Sequence, residues 1–92
     1  MPRTPSAAAA RIGAQIKTAR VDLHWTQDRL AVESGIDSAS IRSYENGRAM
    51  VSVRTLIQIA ITLGREPGYF LDGVTNEQFT QPREATNASS GE

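Results

Sequence analysis

The sequence contains no cysteine and a single histidine, His24. Without cysteine there is no disulfide framework and no thiolate zinc site. One histidine cannot form a metal-binding or acid–base cluster. Aromatic residues make up 5% of the 92 residues. The longest unbroken apolar run is four residues, Ala7 to Ala10, far short of the roughly 20 that span a membrane. The basic flank and apolar stretch of a secretory signal are missing, so the expected location is the cytoplasm. A glycine-rich phosphate loop is lacking as well. So is an excess of one charge: ten Lys and Arg balance ten Asp and Glu.

What is present fits one small domain. A chain of 92 residues has no room for a two-domain enzyme. Its 39% hydrophobic and 22% charged residues are ordinary for a globular protein. The zero total charge hides an uneven distribution. From Ile41 to Thr55 three arginines (Arg42, Arg48, Arg54) oppose Glu45, a net of +2. From Val74 to Glu92 three glutamates (Glu77, Glu84, Glu92) oppose Arg83, a net of −2. Residues 1–6, with Pro2, Pro5 and Arg3, read as a flexible arm. After Phe79 there is no large apolar residue to offset the entropy of ordering. The expected division is therefore an arm at 1–6, a folded domain at 7–74, and a mostly disordered, polar and acidic tail at 75–92.

Within 7–74 every periodic segment is helical, which predicts an all-α fold, a compact bundle of five short helices. Ser6 caps the first helix, whose Ile12, Ile16, Ala19 and Leu23 share one face. Trp25 is expected to close helix one over helix two. Thr26 caps the second helix, with Asp28 in its first turn and Gly35 at its end. Asp37 caps the third, which ends at Asn46-Gly47. Ser52 caps the fourth and Gly64 stops it. Pro67 opens the fifth, through Tyr69, Phe70 and Leu71.

The joint between helices two and three carries the most information. Gly35 and Ile36, followed by the cap Asp37, are too short for an antiparallel hairpin and force a steep crossing, a helix-turn-helix. Leu30, Ala31, Ile36, Ile41 and Tyr44 are the inward positions, with small Ala31 where the helices approach. That leaves Ser38, Ala39, Arg42 and Ser43 on the outer side of helix three. Small and polar residues with one arginine suit an edge that enters a groove.

The segments Gln27-Asp28-Arg29-Leu30-Ala31, Ser34-Gly35-Ile36 and Ser40-Ile41-Arg42-Ser43-Tyr44-Glu45-Asn46-Gly47 resemble the lambda-repressor-like (Cro/repressor, Xre-type) helix-turn-helix family. Ser52 to Ala60 and Leu63-Gly64 are similar to its fourth helix, so the likeness covers about residues 11–73. Three positions depart from the family: His24 for a common glycine, Val51 for a common proline, and Ile61 where a charge is usual.

The resemblance implies a DNA-binding domain that regulates transcription, usually as a dimer. It implies that Gln27 and the amide at the start of helix two grip one phosphate, and Asn46 and Arg48 another. Ser38, Ala39, Arg42 and Ser43 would face base edges in the major groove. Arg42 would pair with guanine or, alternatively, bind phosphate. Ala39 would pack on a thymine methyl. Arg3 and Arg11 are either further backbone contacts or free. In some members, residues at the positions of Arg20 and Glu45 form a partly buried ion pair.

Neither His24 nor Ser34 has the partners that would make it a base or a nucleophile. The expectation is a non-enzyme with no cofactor and no metal, whose partner is double-stranded DNA at a palindromic operator. Helix four carries more apolar surface than its own core needs. Ile57, Ile61, Tyr69, Phe70 and Val74 are therefore expected at a homodimer interface. The alternative is that Val74 and Phe79 fold back over helix four within one chain. An antitoxin-like protein-interaction module of the same fold, with its tail on a protein partner, is the other functional class.

Overall fold

Four of the helices begin where a short polar side chain can take over a free backbone N–H. In the computed structural model, which describes residues 6–79, the Ser6 hydroxyl accepts from the Ala9 amide at 3.1 Å and starts α1 (Ala7–Asp22). Thr26 does the same for α2 (Gln27–Ser34), accepting from Arg29 at 3.0 Å. Asp37 caps α3 (Ser38–Glu45) through the Ser40 amide at 2.9 Å. Ser52 caps α4 (Val53–Leu63) through Thr55 at 3.2 Å. Each such cap stabilises its helix by about 1 kcal/mol. Pro67, whose missing N–H costs nothing at a first helical position, opens α5 (Pro67–Leu71). The described residues contain no strand, and none of their helices is long and apolar enough to cross a membrane.

The inner faces meet in one core. Ile12, Ile16 and Ala19 of α1 pack with Leu30, Ile41, Leu56, Ile59, Leu63 and Phe70. Phe70 is 0% exposed. It therefore cannot serve the dimer interface expected for it: α5 turns it inward, against α1 and α4, as the largest fully buried side chain. Tyr69 meets it edge-on at 5.0 Å between ring centres.

Helices α1 and α3 approach each other tightly. A Cβ on Gly13 would overlap the Tyr44 carbonyl, so α1 lies on the last turn of α3 backbone to backbone. Polar side chains of α1 hold the other side. Arg11 donates to the Asp72 carbonyl at 3.0 Å and Gln15 to the Tyr69 carbonyl at 3.2 Å. Arg11 is thus engaged within the chain. Residues 76–79, expected to belong to the tail, instead form a 3-10 turn, Asn76–Phe79, packed against α1. The arm with Arg3 and the tail beyond Phe79 lie outside the described residues.

Candidate nucleic-acid interface

The turn between α2 and α3 is set by Gly35, whose φ of 78° is a left-handed conformation that suits glycine. The Gly35 and Ile36 amides both return to the Ala31 carbonyl, and Gln58 of α4 donates its side-chain amide to the Ser34 carbonyl. The end of α2 is thereby satisfied, and Ile36 packs half-buried on the core. The chain then enters α3 directly at its cap.

Along α3, Ile41 is fully buried and Tyr44 half-buried. Ala39 and Arg42 are exposed, and Ser38 and Ser43 half-buried, at the opposite edge. Among the described residues no group pairs with the Arg42 guanidinium. Ser40 is committed elsewhere: its hydroxyl donates to Asp37 at 2.8 Å and its amide to the same carboxylate. Those two bonds hold the Asp37 carboxyl below its ordinary value of 3.8. Past α3, Asn46 and Arg48 are exposed. The Asn46 and Arg48 backbone amides are bonded to the Arg42 and Ser43 carbonyls, which leaves their side chains outward.

Beneath this surface lies a buried clamp. Arg20, at the end of α1, donates through Nε to Glu45 Oε2 at 2.7 Å and through Nη2 to Oε1 at 2.9 Å. Its Nη1 donates to the Trp25 carbonyl at 2.7 Å. The Arg20 and Glu45 side chains are 11% and 1% exposed. The third donor to Glu45 is Gln27, the first residue of α2, at 3.0 Å. Gln27 is therefore partly turned inward. The Trp25 ring carries the Arg29 guanidinium on its face at 4.6 Å. The Gln27–Glu45 bond joins residues 18 apart in sequence, and no local pattern signals it.

The apolar residues expected at a dimer interface divide. Ile57 and Ile61 of α4 are exposed, Ile61 to 74%. Tyr69 and Val74 pack half-buried on the chain's own core, and Phe70 is interior. Beside Ile57 runs an apolar groove of about 270 Å³, walled by Met50, Val53, Leu56, Leu71 and Phe79. Val53 is 74% and Phe79 51% exposed, so Phe79 borders the groove without closing it. Among the described residues no His, Asp or Glu side chains gather into a metal-holding group.

The family described as Helix-turn-helix (HTH_3) matches residues 16–70. Among solved structures, the chain is similar to the restriction-modification controller protein C.AhdI from Aeromonas hydrophila. The identity is 26% over 67% of this chain and 94% of that one, with a TM-score of 0.65. It is likewise similar to the clp gene regulator ClgR from C. glutamicum, at 26% identity over 71% of this chain and 84% of that one, TM-score 0.67. An HTH_3 family transcriptional regulator from Vibrio cholerae shares the fold at 24% identity, over 72% of this chain and 37% of that longer one, TM-score 0.67. A search of curated proteins finds no match.

Proposed function

The chain belongs to the helix-turn-helix family, and from that premise we propose that it is a sequence-specific regulator of transcription that binds a palindromic operator as a twofold dimer. Helix α3 enters the major groove, where Ser38, Ala39, Arg42 and Ser43 face the base edges. Gln27 grips the backbone on one side, and Asn46 and Arg48 on the other. The observation that carries the reading is Arg42, an exposed guanidinium on the outer edge of α3 that pairs with no group among the described residues. Guanidinium pairs bidentately with guanine. The gene regulator and the controller protein at 26% identity support the same reading.

The occupant of the α4 face is a second copy of this chain. Among the described residues the groove has no charged residue in its lining. A twofold contact sets one patch against itself, so a charge-free patch suits it. Residues 80–92 carry no large apolar side chain that could fill the groove from within.

Affinity for random duplex DNA at rising salt tests the proposal. A DNA binder loses about one log unit of affinity per log of salt for each phosphate contact. Selection from a random duplex pool then gives the motif. Arg42→Ala should relax one position of that motif, at about 1–3 kcal/mol. Arg48→Ala should weaken all sequences alike and reduce the salt slope by about one. An unchanged motif in Arg42→Ala would make Arg42 a phosphate contact or a bystander. The antitoxin-like reading draws support from the zero net charge and the open groove. Absence of duplex binding at any salt would favour it.

A further inference from the structure

The buried carboxylate of Glu45 does more than close an ion pair. We infer that Glu45 is a positioning residue for DNA binding: through the Gln27 side chain it presets the phosphate grip at the start of α2. The inference rests on the DNA-binding reading above.

The argument begins with what each group can do. A carboxylate accepts hydrogen bonds and cannot donate them, whereas a glutamine amide has two N–H donors on one nitrogen. Facing Glu45, the amide must turn its nitrogen inward, and Nε2 does lie 3.0 Å from Oε1. One N–H is then held by Glu45, and no described residue accepts the second, which leaves it for an outside acceptor. A free glutamine would have to give up its rotamer freedom on binding, and here that cost is met in advance. The clamp also removes an electrostatic objection. A bare carboxylate near a phosphate would repel it. Here Arg20 covers Glu45 with two hydrogen bonds, so the pair is neutral as a unit. Glu45 also immediately precedes Asn46. One buried charge thus fixes the start of α2 against the end of α3, the two ends from which the backbone of a duplex would be gripped.

The test is a coupling cycle in the full chain, read as affinity for a fixed duplex at low salt, with thermal melts run in parallel. Gln27→Ala should cost the parent about tenfold in affinity, the scale of one charge-assisted hydrogen bond. In the background carrying Arg20→Met and Glu45→Leu, the same change should cost less than about threefold, because Gln27 is no longer held there. Equal losses in both backgrounds would overturn the inference, whatever the melts show, since a merely structural clamp lowers melting temperature without changing what Gln27 contributes. Should that background not fold, the Gln27 side-chain amide signals of the parent, identified by their loss in Gln27→Ala, carry the test. Adding duplex should shift one of the two N–H protons strongly and leave its Glu45-bound neighbour in place. Equal movement of both would show that Gln27 lets go of Glu45 and would overturn the inference. A parent that binds no duplex at low salt, with the Gln27 amide still held, overturns the DNA-binding reading itself and not the bond.

Discussion

His24 has a φ of 61° and is the one described non-glycine residue with positive φ. It ends the turn after α1, where its amide reaches the Val21 carbonyl at 2.8 Å. A side chain with a Cβ pays about 1–2 kcal/mol for that conformation, which gives a physical reason for the glycine common in similar sequences. His24→Gly should raise stability by about 0.5–1 kcal/mol, the relief of strain less the added freedom of the unfolded chain. His24→Val, β-branched, should lower it by about 1–2 kcal/mol. Denaturant midpoints check both, and a fall for His24→Gly would show that the imidazole holds the turn by a contact. Asp37 gives a second residue-level expectation. Its two bonds from Ser40 lower its carboxyl pKa. The stabilisation it brings is therefore complete above the unfolded value of about 3.8 and is lost as pH falls through the lower folded value. In Asp37→Asn that segment of the pH–stability curve should flatten.

Between elements, the contact that decides the fold is α1 on α3. Gly13→Ala puts a methyl into the Tyr44 carbonyl, and neither backbone can yield cheaply. The expected loss is about 1–3 kcal/mol or more, although alanine is the better helix former. An unchanged denaturant midpoint would mean that the helices separate freely. Arg20→Met leaves Glu45, 1% exposed, without its cation. It should cost up to about 3–5 kcal/mol, and Arg20→Met with Glu45→Leu should cost less than Arg20→Met alone. Additive losses would show that the two side chains are independent. Elements themselves are legible in the sequence because they are local. Ser6, Thr26, Asp37 and Ser52 each precede an apolar-periodic run, and each caps the helix that follows. What is not legible is whatever depends on two distant segments. The need for glycine at position 13 comes from Tyr44, distant in sequence, whose carbonyl lies against it. The 3-10 turn at Asn76–Phe79 is polar except for Phe79, and it forms because α1 is there to receive it.

For the whole molecule the question is which apolar surface belongs to the fold and which is left over. Composition alone cannot divide it: Phe70 and Ile61 are both large and apolar, and periodicity brings both near the edge of helix faces. Packing separates them, with Phe70 fully buried and Ile61 74% exposed. Phe70→Ala should therefore cost about 3–5 kcal/mol of folding stability. Ile61→Glu, at a solvated helical position of the isolated chain, should change that stability by about 0.5 kcal/mol or less. Its effect should fall on assembly. A twofold contact through α4 would bring the two new carboxylates close together, in a patch whose neighbours Ile57 and Val53 offer them no hydrogen bond. Like charges desolvated in this way oppose association. Each protomer would then have to bind its half-site alone, without the effective concentration supplied by its partner. Affinity for a palindrome with half-sites about 34–36 Å apart should fall by roughly a hundredfold or more, and affinity for a single half-site should stay near the parent's. Sedimentation should give a folded monomer for Ile61→Glu and a dimer for the parent. A parent that sediments as a monomer at high micromolar concentration, both free and on DNA, would leave the α4 face without a second copy to cover it.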